Sequence, residues 1–314
     1  MPYGLGTRVR AALSLAVLLL LAGCGGVQGS GVIVPARPLA WHQVEALPAP
    51  RSVKPMPYGI DAPQQFGELR LPRKGAGPYP LAILVHGGCW QSAYDFRYLR
   101  PLAQALADAG VATWTIEYRR IGDENGGWPQ TFRDVALAAD YVRVLAEYNP
   151  IDTTRVISVG HSAGGQLALW LATRARLPAD SPLHAQNPLP LLGVVGLSAI
   201  TDLASYRVGP RDSCHRAVDE LLGGTPDEVP ERYQQVSPAA RLPLGVPQWF
   251  VHGAYDPIVS AESVALYADR ARSAGDRVAL LTDAGGGHFE PAVPRGEAWA
   301  QVRAAVLQAL VVLP

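Results

Sequence analysis

Val159-Gly160-His161-Ser162-Ala163-Gly164 is the stretch on which the reading of the fold turns. It carries the pattern Gly-x-Ser-x-Gly, which in a glycine-rich chain can be an ordinary turn. Its neighbours decide the matter. Residues 155–159 read as a strand, and residues 163–173 have the spacing of a helix. A serine set between a strand and a helix, with glycines on both sides, is a nucleophile elbow. So tight a turn admits only small residues beside the serine, and it lifts the hydroxyl above the sheet. It also aims the helix N-terminus at the reaction centre, where developing negative charge is favoured.

Strands and helices alternate on either side of the elbow. Residues 66–71 alternate apolar and polar side chains, while 81–85 form the continuous apolar run of a strand buried on both faces. Helical spacing over 95–109 is followed by a β-branched and aromatic run at 111–116. Residues 131–148 predict one amphipathic helix, stopped by Asn149-Pro150. Further strands are expected at 191–197, 248–251 and 277–281, with helices at 260–274 and 297–312. This order implies an α/β fold, a mostly parallel central sheet with helices on both faces. Residues 201–246 break the rhythm with many turn formers and one short helical piece at 217–222, so they are expected to form a lid insertion above the sheet and, with the loop over 121–128, to shape the pocket.

A serine hydroxyl needs a base to take its proton. His288, in Ala284-Gly285-Gly286-Gly287-His288-Phe289, follows the last strand and precedes the closing helix, which brings it to the same sheet edge as Ser162. The third member must be a carboxylate lying between them in the chain. Asp256 ends the turn Val251-His252-Gly253-Ala254-Tyr255-Asp256-Pro257 after a strand. Bonded to the second nitrogen of the histidine, it would fix the tautomer and stabilise the imidazolium. Asp202, after the preceding strand, is the rival, though its position also suits a helix or turn cap. Strand position favours Asp256.

The bulk composition narrows the function classes. Hydrophobic residues make up 48% of the 314, enough for a large core. Lys and Arg together number 27, as do Asp and Glu, which removes the electrostatic case for nucleic-acid binding. His86 and Cys89, in Leu84-Val85-His86-Gly87-Gly88-Cys89-Trp90, supply two metal-type ligands with no second cluster, so no metal site is expected. His86 is expected to brace its own loop, and Trp90 to pack in the core. At the N-terminus, Arg8 and Arg10 precede an apolar run over 11–22 and then small residues, the form of a secretory signal. From Gly25 to about Tyr58 the chain is rich in Gly, Pro and Ala, and reads as a tether that begins to pack near Trp41.

The elbow, the His252-Gly253-Ala254-Tyr255-Asp256 turn, the Gly286-Gly287-His288-Phe289 segment and His86-Gly87-Gly88-Cys89-Trp90 together resemble the α/β-hydrolase superfamily over roughly residues 58–312. The likeness is greatest to its esterase and kynurenine formamidase-like branch, whose hallmark is HGGxW; Glu117-Tyr118-Arg119, Gly126-Gly127-Trp128-Pro129 and Ser237-Pro238 add to it. The resemblance implies that the main-chain amides of Gly88, Cys89 and Ala163 form an oxyanion hole. One such donor is typically worth about 2.7–4 kcal/mol of transition-state stabilisation. It implies an acyl-enzyme route on small or medium carboxylic esters with neither metal nor organic cofactor. Two other readings stay open: an arylformamidase-like amide hydrolase, and a non-catalytic, lipid-anchored binding protein on the same fold.

Leu21-Ala22-Gly23-Cys24 resembles the lipobox of bacterial lipoproteins. That likeness implies lipidation of Cys24, a signal peptide over 1–23, a tether over 24–57 and a hydrolase domain over 58–314, exported and held at a membrane of the cell envelope. Cys89 and Cys214 then remain in the mature chain. In an oxidising compartment a Cys89–Cys214 disulfide would tie the lid to the oxyanion loop, at a chain-entropy value of about 4–5 kcal/mol as an upper figure. Sequence does not bring two Cα atoms within bonding reach, so two free thiols remain the alternative.

Overall fold

The structure, a computed structural model, describes residues 38–210 and 214–311. The expected signal peptide over 1–23, the expected lipidation site Cys24 and the first part of the stretch read as a tether lie outside the described residues.

A short helix, α1 (Trp41–Glu45), comes first. The edge strand β1 (Met56–Pro57), then β2 (Phe66–Arg70) and β3 (Tyr79–Val85), follow. After α2 (Arg100–Asp108) and β4 (Ala112–Ile116) come α3 (Gln130–Asp140) and α4 (Val142–Tyr148). The long strand β5 (Ile151–His161) feeds straight into α5 (Ala163–Leu171), and β6 (Val194–Leu197) follows. Three helices, α6 (Leu203–Tyr206), α7 (Ala217–Leu222) and α8 (Pro230–Val236), precede β7 (Gln248–Gly253). The chain closes through α9 (Ala261–Ser273), β8 (Val278–Asp283) and α10 (Gly296–Ala309). The eight strands lie in the order β1-β2-β4-β3-β5-β6-β7-β8. The β1–β2 and β2–β4 pairs are antiparallel, and every pair from β4 to β8 is parallel. This is the α/β-hydrolase fold.

The unbroken apolar run in β3 is explained by two separate cores. Leu81, Ile83 and Val85 join the core beneath α3, α5, α7 and α9, whereas Ala82 and Leu84 face the opposite core with α2 and α10. Alternate side chains of one strand serve both faces, so no position is free to be polar. All nine residues of α5 are buried, which is why its sequence is apolar all round and lacks a polar stripe.

Two expectations change here. The single helix anticipated over 131–148 is two, α3 and α4, with Tyr141 between them. The interruption falls one turn beyond Ala138, whose carbonyl accepts the Trp114 indole N–H at 2.9 Å. The described residues of the insertion at 201–246 carry three α-helices where one short piece was expected. Its Leu203, Val218, Leu221, Leu222, Tyr233 and Val236 are part of the main core. Gln166 of α5 donates to the Val236 carbonyl at 2.9 Å, and so ties the insertion to the elbow helix.

Candidate active site

The elbow has the geometry that its small residues permit. Ser162 sits at φ 56°, ψ −122°, in the left-handed half of backbone space, between the last residue of β5 and the first of α5. A side-chain Cβ at Gly160 would lie 2.0 Å from the Gly164 carbonyl oxygen, and one at Gly164 would lie 2.3 Å from the His86 oxygen. The glycines are therefore required by close backbone approach, and the second approach seats the elbow against the His86 loop.

His288 follows β8, and its Nδ1–H donates to Asp256 Oδ2 at 2.8 Å, which leaves Nε2 as the basic nitrogen. The Asp256 side chain is fully buried, and its Oδ1 accepts the amides of Ile258 (2.8 Å) and Val259 (2.9 Å). Burial alone would raise its pKa. The hydrogen bond and charge of His288, with the two amides, outweigh burial and hold the carboxyl below its ordinary value. Asp202, the rival, caps α6, accepting the amides of Ala204 and Ser205. Ser162 and His288 line one cavity of about 260 Å³. No hydrogen bond joins the Ser162 hydroxyl to another group among the described residues; such contacts commonly tighten only when substrate is bound.

The loop from His86 to Trp90 faces the same cavity. Gly88, Cys89 and Trp90 all have positive φ (99°, 55° and 56°), which turns successive peptide planes. Among the described residues no group accepts the amides of Gly88, Cys89 or Ala163, so all three donors are unspent. His86 braces the loop as expected: Nδ1 meets the Gly87 carbonyl at 2.8 Å and Nε2 the Glu117 carboxylate at 2.9 Å. Trp90 is wholly buried and donates its indole N–H to Gln166 Oε1 at 3.1 Å. Cys89 and Cys214 form a disulfide with Cα atoms 5.0 Å apart, which joins the His86–Trp90 loop to the insertion. Both cysteines line the cavity.

A hydrogen-bonded chain that sequence reasoning missed joins the His86–Trp90 loop, the elbow and the His288 loop. The Gly87 amide donates to the Tyr98 hydroxyl (2.7 Å), and that hydroxyl donates to His161 Nδ1 (2.8 Å). His161 then donates from Nε2 to the His288 carbonyl (2.9 Å). Burial first, and the neighbouring His288 second, lower the His161 pKa to about 3, so His161 is a neutral connector. Its partners lie 63 and 127 residues away in the chain, beyond any local pattern.

The cavity wall also differs from expectation. None of residues 121–128 lines it, and among the described residues of the insertion only Cys214 does. Trp41, Tyr94, Tyr98, Ile258 and Phe289 supply the rest of the apolar lining. Trp41 belongs to the segment read as tether, and its ring packs against Tyr94, Tyr98 and Phe289 of the hydrolase domain. No group of three or more His, Cys, Asp or Glu among the described residues is placed to hold a metal ion.

Comparison with known proteins gives the family. Residues 68–269 match the BD-FAE family model, and the chain belongs to that family. No curated protein matches. Among solved structures, a truncated carbohydrate esterase from gut microbiota has a TM-score of 0.70 at 21% identity, over 84% of this chain and 98% of that one. A bifunctional GH43-CE protein of Bacteroides eggerthii has a TM-score of 0.67 at 19% identity, over 81% of this chain but 37% of its own length, so this chain spans little more than a third of it. Esterase 2 of Thermogutta terrifontis, phosphonylated by sarin, has a TM-score of 0.65 at 21% identity, over 86% of this chain and 95% of that one. These likenesses define the fold.

Proposed function

We propose that the chain is a serine hydrolase of small or medium carboxylic esters, with Ser162, His288 and Asp256 as its catalytic triad. The observation that carries this reading is the pairing of His288 with Asp256 beside an elbow serine, on a cavity lined by Gly88 and Cys89, whose amides, like that of Ala163 next to the serine, are unspent among the described residues. The Ser162 oxygen attacks the ester carbonyl carbon as its proton passes to His288 Nε2, and the amides of Gly88, Cys89 and Ala163 hold the oxyanion. The tetrahedral adduct expels the alcohol, which takes the proton from His288. Water then attacks the acyl-enzyme, gives its proton to His288, and the carboxylic acid leaves as Ser162 recovers its hydrogen. Asp256 stays ionised throughout and keeps the imidazole in the tautomer with Nδ1 protonated.

The size of the cavity supports short acyl groups, and its mostly apolar lining supports an uncharged one. The names of the structural neighbours, a carbohydrate esterase and an esterase phosphonylated by sarin, fit an ester substrate, and the first fits one carried on a carbohydrate. The HGGxW loop keeps an aryl formamide in view as the competing substrate. The leader sequence supports export and lipid anchoring through Cys24, outside the described residues.

A panel of p-nitrophenyl esters from acetate to octanoate, an acetylated xylo-oligosaccharide and an aryl formamide tests the reading. Wild type should cleave the short esters, and Ser162→Ala should lose at least about 10³-fold of that activity. Cleavage of the formamide in preference to every ester would replace the ester reading. Wild-type inactivity on the whole panel, or full activity of Ser162→Ala, would overturn the hydrolase reading.

A further inference from the structure

The segment from residue 38 to residue 50 takes no part in the sheet and none in the chemistry above, yet it is built into the site. Its Trp41 ring packs against Tyr94 and Tyr98, each at a centroid distance of 5.3 Å, and against Phe289 at 5.6 Å. Each of those rings touches a catalytic loop. A Cβ at Gly88 would stand 2.3 Å from Tyr94 Cβ, Tyr98 holds the Gly87 amide, and Phe289 follows His288. One indole thus bridges the oxyanion loop and the histidine loop.

The strap is clamped where it meets the histidine loop. Glu290 accepts the Leu39 amide on Oε1 (2.5 Å) and the Gly287 amide on Oε2 (2.7 Å), so one carboxylate binds the strap to the residue before His288. Pro38 lies against Gly287, where a side-chain Cβ would be 2.6 Å from the proline Cβ. Beyond Trp41, Val44 is 2% exposed and joins the core under α2.

A second hollow of about 320 Å³ lies on the other side of this aromatic wall. Trp41, Tyr94 and Tyr98 line both it and the catalytic cavity; Val44, Leu47 and Pro101 add to its apolar floor, while Glu45, Asp95, Arg97 and Arg100 give it a charged rim. Tyr94 and Tyr98 are tied to the oxyanion loop, so Trp41 is the part of the partition contributed from outside the hydrolase core.

We propose that the strap is part of the substrate site: Trp41, clamped through Glu290, is a specificity-determining residue that closes the catalytic cavity against the second hollow and sets the size of apolar group accepted beside Ser162. This rests on the hydrolase reading above. Truncating the indole joins the two spaces and admits longer chains. Binding differences of this kind in apolar pockets run from about 10-fold upward per methylene group when the fit is close.

The test is the ratio of kcat/KM for p-nitrophenyl octanoate to that for the acetate, measured on the full chain for wild type, Trp41→Ala and Trp41→Leu. The ratio should rise at least about 10-fold in Trp41→Ala and by a smaller factor in Trp41→Leu. Trp41→Leu keeps an apolar side chain in the wall, and it carries the test alone if Trp41→Ala does not fold. An active wild type whose ratio moves less than about twofold in the folded variants overturns the role of the strap and leaves the hydrolase reading intact. A wild type that cleaves neither ester overturns both.

Discussion

Tyr98→Phe removes one oxygen atom from the interior and strands two partners. The ring that remains fills the same space, so the cost is not that of a cavity. It comes from the Gly87 amide, which loses its acceptor, and from His161 Nδ1, which loses its donor. Both lie in buried surroundings. A buried polar group left unpaired costs about 1–3 kcal/mol, so the two together cost roughly 2–6 kcal/mol. Moving the His161 proton to Nδ1 does not rescue the site, because a bare Nε2 would then face the His288 carbonyl. Against a typical domain stability of about 5–15 kcal/mol, the loss is large enough to read from a urea midpoint. The expected result is a lower midpoint at unchanged slope, together with a fall in kcat, because the Gly87 amide leads into the oxyanion loop. A loss of stability below about 0.5 kcal/mol, with the slope unchanged, would refute the claim that this chain of bonds holds the loops together.

Two further expectations concern pH and the disulfide. His161 has a folded-state pKa of about 3 against an ordinary value of 6.5, so the unfolded chain takes up a proton that the folded chain refuses. Stability from this residue is therefore complete above about pH 6.5 and is lost as the pH falls toward 3, at up to roughly 1.4 kcal/mol per pH unit. His252, also held low by burial, adds to the loss with the same sign. Urea midpoints across that range should fall with acid, and a flat profile in wild type would contradict the assignment. Asp256, depressed in the folded state, adds a loss at lower pH, beginning near the ordinary carboxylate range. For the disulfide, denatured and unreduced protein without its leader should show no reactive thiol from Cys89 or Cys214. Cys214→Ser should lower stability by up to about 4–5 kcal/mol in urea, and equal midpoints would show that the bond stabilises nothing.

How much of this was legible beforehand depended on whether a residue's partners were signalled locally. Ser162, His288 and Asp256 each follow a strand in a small-residue turn, and that context survives in one dimension. The parallel sheet was readable because β3 must be apolar at every position to serve two cores. Tyr98 and His161 were not, since a tyrosine in a helical run and a histidine inside the elbow motif give no hint that they will bond to each other. Trp41 sits in a five-residue helix within a stretch rich in Pro and Ala, too short for any period to mark its buried side. The insertion was underestimated for a similar reason: α6, α7 and α8 have four, six and seven residues, and their order comes from packing against the core.

The proposed chemistry requires that Ser162 be an activated nucleophile. Treating the folded protein with a fluorophosphonate probe and mapping the adduct by mass spectrometry tests it most directly. One adduct is expected, on Ser162, absent from Ser162→Ala and strongly slowed in His288→Ala. An unlabelled wild type, or labelling that persists undiminished in Ser162→Ala, would contradict it.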